Sequence, residues 1–160
     1  VDDGVGPLVM RVHLVRHGEA AAAPVDGDRP LTAAGRDGVA RLAAWCAASG
    51  VQPAEIRHSG ILRAAQTAAI LAARLAPPGG TRSVRGLAPD DEAGPVAAEL
   101  LHETETVLIV THMPLVGELA ALLADRRTPI PFVPAQIACF DRVGPGFRLK
   151  EIWSPSSPAA

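Results

Sequence analysis

A single α/β domain is the fold this sequence predicts, built on a doubly wound, mostly parallel sheet with helices on both faces. Three observations predict it. Short apolar or β-branched runs alternate with longer helix-forming stretches along the whole 160 residues. One run, residues 106–110, reads Thr-Val-Leu-Ile-Val with no charged residue, the pattern of a parallel strand covered on both faces. Glycine and proline clusters such as Pro77-Pro78-Gly79-Gly80 separate the segments, yet none is long enough to be a linker and no repeat is visible.

The elements follow in order. Residues 1–7 (VDDGVGP) carry no pattern and are expected to be a loose tail, native or otherwise, since Met10 would serve as a start. Residues 8–15 read as a buried strand running into Arg16-His17-Gly18-Glu19. After a Pro/Gly/Asp loop, Thr32 caps a helix to about Ala48, which Ser49-Gly50 closes. Residues 55–58 are a brief strand, and Ser59 is placed to cap a helix over 61–75. Residues 81–84 are a weak strand, 85–94 a polar loop, and Pro95 suits the first turn of a helix to about Glu103. The strand at 106–110 is followed by a helix over 115–124. Residues 137–141 and 147–153 form a closing hairpin through Gly144-Pro145-Gly146, so the domain is expected over 8–153 with a second loose tail at 154–160.

Composition narrows the function. Fifteen basic against 17 acidic residues give a net charge of −2, which offers no basic surface for nucleic acid or membrane. The apolar stretch 107–124 approaches the length of a membrane span, but His112, Pro114 and Glu118 argue for a strand and a helix instead. The first apolar run is short and holds Arg11 and His13, unlike a secretory signal. Two cysteines, Cys46 and Cys139, make no disulfide framework and read as small core residues, so a reducing, cytoplasmic setting is expected. Lys150 is the only lysine, so the other basic residues are arginines, whose planar fork suits phosphate.

In sheets of this kind, ligands bind beyond the carboxyl ends of the strands. That rule selects the loops after Val15, His58 and Val110, which hold Arg16-His17, Arg63 and His112. Two arginines supply fixed charge and paired donors for a phosphoryl group. A histidine accepts a phosphoryl group when its attacking nitrogen is unprotonated, and a second can donate to the transferring oxygens. Such a site needs no metal and no cofactor. His13 and His17 would lie about 13 Å apart along a strand, too far to share an ion. Walker, dinucleotide and serine-hydrolase motifs are missing, and neither cysteine has an arginine at the sixth position after it.

Arg16-His17-Gly18-Glu19 after the first strand resembles the R-H-G signature of the histidine phosphatase (phosphoglycerate mutase-like) superfamily. Three more segments fall in that family's order: Arg29-Pro30-Leu31-Thr32-Ala33-Ala34-Gly35, Ser59-Gly60-Ile61-Leu62-Arg63-Ala64-Ala65-Gln66-Thr67-Ala68 and Val110-Thr111-His112-Met113-Pro114-Leu115. The match spans about residues 10–124, and the R-P-L-T-x-x-G and T-H-x-P-L-V-G runs resemble the SixA-type phosphohistidine phosphatases. The resemblance implies a phosphoglycerate mutase-like fold with His17 as nucleophile, Arg16, Arg63 and His112 around the phosphoryl oxygens, and Gly18 leaving room for phosphate. Thr67 and Gln66 would position the helix that presents Arg63. Gly60 departs from the proline common at its position, which would loosen the loop before Arg63.

The resemblance further implies a proton donor after the third strand, where Asp90, Asp91 and Glu92 stand, with Glu19 as a fourth candidate. A leaving imidazole, with a pKa of about 6.5, needs little help from such an acid. Away from the four central residues, His13 is expected to be an ordinary strand residue and His102 a solvated one. His58 could take a secondary binding role, and Arg57, Arg74, Arg82 and Arg85 read as surface charges. The short connections around the site leave little chain for a lid, so an open site is expected. It would suit a phosphorylated protein, for example a phosphotransfer domain. The alternatives are a small phosphomonoester (a sugar or nucleotide phosphate) and a non-catalytic phosphate-binding module; a mutase would need a closed site.

Overall fold

The computed structural model describes residues 9–157. The expected N-terminal tail lies outside the described residues. Six strands form one sheet in the order β3-β2-β4-β1-β5-β6. β1 (Arg11–Arg16), β2 (Glu55–His58), β3 (Thr81–Ser83) and β4 (Val107–Thr111) run parallel, while β5 (Ile137–Val143) and β6 (Gly146–Trp153) add an antiparallel hairpin beside β1. The helices between them are α1 (Ala33–Ala48), α2 (Leu62–Leu75), α3 (Ala93–Leu100) and α4 (Leu115–Leu123).

Side-chain alternation along the strands builds two cores, one on each face. Val12, Leu14, Val107, Ile109 and Phe140 pack with Leu100 of α3 and Leu115 and Leu119 of α4. Val15, Leu108, Val110 and Ile137 pack with Val39, Leu42 and Cys46 of α1 and Ala68 and Leu71 of α2. Every residue of β4 is buried, as its unbroken apolar pattern requires.

Caps and chain ends meet expectation at one place and depart from it at others. Thr32 caps α1 as expected, its hydroxyl accepting from Gly35 N at 2.8 Å. Ser59 does not cap α2: Ile61 takes that position, and the Ser59 hydroxyl accepts Ile61 N–H at 3.2 Å while facing His112. The end expected to fray from Ser154 is folded as far as Ser157. Ser154 N donates to Ser157 Oγ at 2.9 Å, and Arg41 Nη1 donates to Pro155 O at 2.9 Å. Arg57 is not a free surface charge either, since it bridges Glu55 at 2.6 Å and Glu103 at 2.7 Å.

Gly35 allows α1 to seat against the loop after β1, because a Cβ there would lie 2.1 Å from Glu19 O. Gly60 sits at φ +86°, where proline cannot follow. Its N–H donates to His58 Nδ1 at 3.0 Å, so the loop before Arg63 is a defined turn. The same bond occupies His58 locally.

His13 belongs to the core. It is 2% exposed, lies opposite Cys139 and Leu108, and has no hydrogen-bond partner at either nitrogen. Burial, then Arg11, depress its pKa from 6.5 to about 4; Asp141 opposes this and Lys150 adds to it. The folded value lies below the unfolded one, so the unfolded chain binds more protons between them. Stability from this group is complete above pH 6.5 and is lost as pH falls towards 4, a change on the order of 3 kcal/mol. His13→Leu should therefore keep or raise stability at pH 7 and flatten its decline in acid. Urea midpoints from pH 7 to 4.5 measure this, and an unchanged decline would assign the titration to another group.

Candidate functional site

The parallel register brings the carboxyl ends of β1, β2 and β4 together. Arg16 lies opposite Thr111, and His58 opposite Val110. His17 N–H donates to Thr111 O at 3.1 Å, which carries the pairing one residue past β1 and fixes His17 beside His112. Their rings stand 4.9 Å apart between centroids, tilted by 55°.

Arg63 arrives from the first turn of α2. The hydroxyl of Thr67 couples this helix to the loop after β1: it donates to Arg63 O at 2.8 Å and accepts from Gly18 N at 3.1 Å. Gln66 adds a second tie, its Oε1 accepting from Leu31 N at 2.8 Å. At Gly18 a Cβ would lie 2.7 Å from Val39 Cγ2 and 3.0 Å from Gly35 O. The space kept free by this glycine is thus filled by α1, and what Gly18 permits is the seating of the loop on that helix.

The hydrogen bonds of His17 settle its tautomer. Nδ1 lies 2.7 Å from Gly18 O, which only accepts, so Nδ1 carries the proton. Nε2 is then a bare lone pair, and Arg63 Nε donates to it at 3.3 Å. Burial drives the His17 pKa from 6.5 to about 4; the Gly18 carbonyl opposes this, and Arg63, Arg16 and Arg29 reinforce it. The imidazole is neutral at pH 7.

His112 is also held neutral, its pKa lowered to about 3 by burial, then by His17 and Arg63. Its Nε2 lies 2.7 Å from Ser59 Oγ, while Nδ1 is buried without a partner. Arg16 is anchored through Nη1, which donates to Phe132 O at 2.7 Å, and its buried Nε has no partner. Its charge nevertheless acts on both imidazoles. Arg63 is 4% exposed. Its Nη1 donates to Asp26 O at 3.1 Å and its Nη2 to Asp26 Oδ2 at 3.2 Å.

The structure therefore gathers His17, Arg63 and His112, with the charge of Arg16 alongside. It does not gather the four carboxylates singled out as proton donors. Glu19 Oε1 accepts from Thr32 Oγ1 at 3.3 Å, and Asp91 Oδ2 accepts from Ala88 N at 2.8 Å. Asp90 and Glu92 are exposed, and Glu92 precedes α3 without a side-chain cap. Among the described residues none of these four bonds to His17, Arg63 or His112.

Asp26 is the acidic residue that sequence reasoning passed over. It opens a single 3-10 turn, Asp26–Asp28, in the loop between β1 and α1. A loop carboxylate has no periodic signal, and only the folded chain shows that it reaches Arg63. No group of three or more His, Cys, Asp or Glu side chains placed to hold a metal ion occurs among the described residues. No helix among the described residues is long and apolar enough to cross a membrane.

Comparison with known proteins shows the family and the fold. Residues 12–84 match the family described as the histidine phosphatase superfamily (branch 1). The chain is 36% identical over 134 residues to the phosphohistidine phosphatase SixA of Escherichia coli K12, covering 81% of this chain and 83% of that one. A SixA homolog of Haemophilus influenzae is 59% identical over 34 residues, 21% of each chain. The fold superposes on the protein histidine phosphatase SixA complexed with tungstate at a TM-score of 0.84, with 32% identity and coverage of 91% and 97%. A relative this similar over four fifths of the chain decides the question of kinship: this protein belongs to the histidine phosphatase superfamily.

Proposed function

We propose that this phosphatase removes phosphoryl groups from histidine side chains of a protein substrate, such as a phosphotransfer domain, with His17 as its nucleophile. The observation that carries the reading is the His17 tautomer: Gly18 O holds the proton on Nδ1 and leaves Nε2 bare beside Arg63. The named activity of the SixA relative supports the choice of phosphohistidine.

The chemistry runs in two displacements. His17 Nε2 attacks phosphorus in line, and the bond to the leaving nitrogen breaks, giving a phosphohistidine at His17. Water then attacks that phosphorus and releases phosphate. Arg63 offers its Nε and Nη donors to the transferring oxygens beside His17, and Arg16 offers the unpartnered Nε. His112 lies beside His17 with Nδ1 free, and incoming negative charge opposes the depression of its pKa, favouring a protonated ring that donates a hydrogen bond to the transferring oxygens. Fixed guanidinium charge thereby offsets the negative charge of the phosphoryl group.

An exposed phosphorylated side chain needs a site that a second protein can approach. The connection from β3 to α3 is only residues 84–92, and the one from β1 to α1 contains the 3-10 turn and an isolated bridge between Ala20 and Leu31. Neither is an inserted helical subdomain.

The decisive assay follows phosphate release, with EDTA present, from a phosphohistidine-bearing phosphotransfer domain and from a panel of small phosphomonoesters. Turnover should favour the phosphoprotein. His17→Ala should lower it by about a thousandfold or more, with loss of the acid-labile phosphoenzyme in rapid-quench experiments. Strong turnover of one metabolite with none of phosphohistidine would move the assignment to small phosphomonoesters. Because the His17 pKa is depressed to about 4, the nucleophile should stay competent well below pH 6.5, losing activity only as pH falls towards 4. A nucleophile titrating near 6.5 in the pH–rate profile would contradict this reading.

Thr67 gives a further test. Thr67→Val keeps the shape but leaves the buried Gly18 N–H unpartnered, costing about 1–3 kcal/mol of stability. It should also lower kcat/KM about tenfold to a hundredfold by releasing Arg63 from its register with His17. Parallel measurements of thermal unfolding and kcat/KM check both effects, and unchanged kinetics would deny Thr67 a positioning role.

A further inference from the structure

Asp26 pairs with Arg63, the guanidinium that also faces His17. Arg63 Nε faces His17 Nε2 at 3.3 Å, while Nη2 of the same planar group donates to Asp26 Oδ2 at 3.2 Å. The nucleophilic nitrogen and the Asp26 carboxylate thus share one guanidinium. They differ in depth, since His17 is 7% exposed and the Asp26 side chain 68% exposed. In-line attack from the buried side places the leaving atom on the open side, where Asp26 stands.

We propose that Asp26 is the proton carrier of the reaction. As a carboxylic acid it gives its proton to the leaving atom while the bond from that atom to phosphorus breaks and His17 Nε2 bonds to phosphorus. As a carboxylate it then takes a proton from the water that attacks phosphohistidine, so that phosphate leaves, Nε2 recovers its lone pair and the acid is restored.

The resting arrangement prepares this role. Asp26 also accepts from Arg29 Nη1 at 3.3 Å, and its turn contains no buried residue, so little packing opposes its movement. The hydrogen bond from Arg29 and the charge of Arg63 keep the free carboxyl ionised, its pKa below the usual value. When a phosphoryl group claims Arg63, Asp26 loses that partner and gains a negative neighbour. Both changes favour the protonated acid. A monoanionic phosphoryl group or solvent hydronium supplies the first proton.

The proposal rests on phosphoryl transfer to His17 and is independent of whether the natural substrate is phosphohistidine. Its test is therefore a leaving-group series: kcat/KM for wild type, Asp26→Asn and Asp26→Ala on aryl phosphates from dinitrophenyl to unsubstituted phenyl, with unfolding checked in parallel. Both variants should lose about a hundredfold on phenyl phosphate and less than about threefold on dinitrophenyl phosphate, whose leaving group needs no proton. Inorganic phosphate should inhibit Asp26→Asn at least as strongly as wild type, because no carboxylate competes for Arg63. An equal loss across the series would make Asp26 a support for Arg63 and overturn the proposal, as would no loss at all. A wild type inactive even on dinitrophenyl phosphate would overturn it too. Failure of the phosphohistidine assay with a normal series would overturn only the substrate assignment.

Discussion

Two guanidinium groups and two imidazoles share one end of this sheet, and the arrangement holds together because both imidazoles stay neutral. Burial is the largest cause of that neutrality at His17 and at His112, and the arginine charges push in the same direction. Were either ring protonated, a third positive charge would enter a space with little water to screen it. Desolvation and charge crowding thus yield what a nucleophile requires, an unprotonated nitrogen at neutral pH. A phosphoryl group reverses the local sign of the field and turns that same crowding into binding energy.

This charge economy depends on ordinary backbone geometry. The β1–β4 register carries Arg16 and His17 past the sheet to meet Thr111 and His112. A single threonine hydroxyl then joins Gly18 to Arg63 across two elements. The distance between His17 and the Arg63 guanidinium is thereby set by a helix and a strand end, whereas Asp26 stands on a turn that contains no buried residue. In the proposed reaction the groups that hold phosphorus are thus set by packed elements, and the acid that meets the leaving group stands on an exposed turn.

Much of this was legible in the sequence because it depends on local pattern. The continuous apolar run of β4, the Thr32 cap and the glycine and proline breaks each report a backbone need that one residue type satisfies. The rule that ligands bind at carboxyl strand ends then gathered His17, Arg63 and His112 without any tertiary information. Contacts between distant loops left no such trace. Ser59 has the composition of a helix cap, yet it spends its hydroxyl on Ile61 and His112. Asp26 sits among other loop acids, and its pairing with Arg63 bridges 37 positions of sequence. His13 was legible as a strand residue, but its missing partners emerge only from the packing of β5 beside it.

The carboxylates after β3 show why composition misleads about acids. Asp91 satisfies its own loop through Ala88 N–H, the usual business of an aspartate in a turn. An acid that serves chemistry must instead face a group whose charge changes during the reaction. Arg63 is such a partner: it is nearly inaccessible to solvent, paired with a carboxylate, and in the proposed reaction contested by a phosphoryl group. The competition links binding to protonation, because the anion that displaces Asp26 also raises the proton affinity of the carboxyl it displaces. A separate acid on a fixed loop would hold its proton whether or not a substrate was present. An acid released by the substrate is ready only when there is a leaving group to protonate.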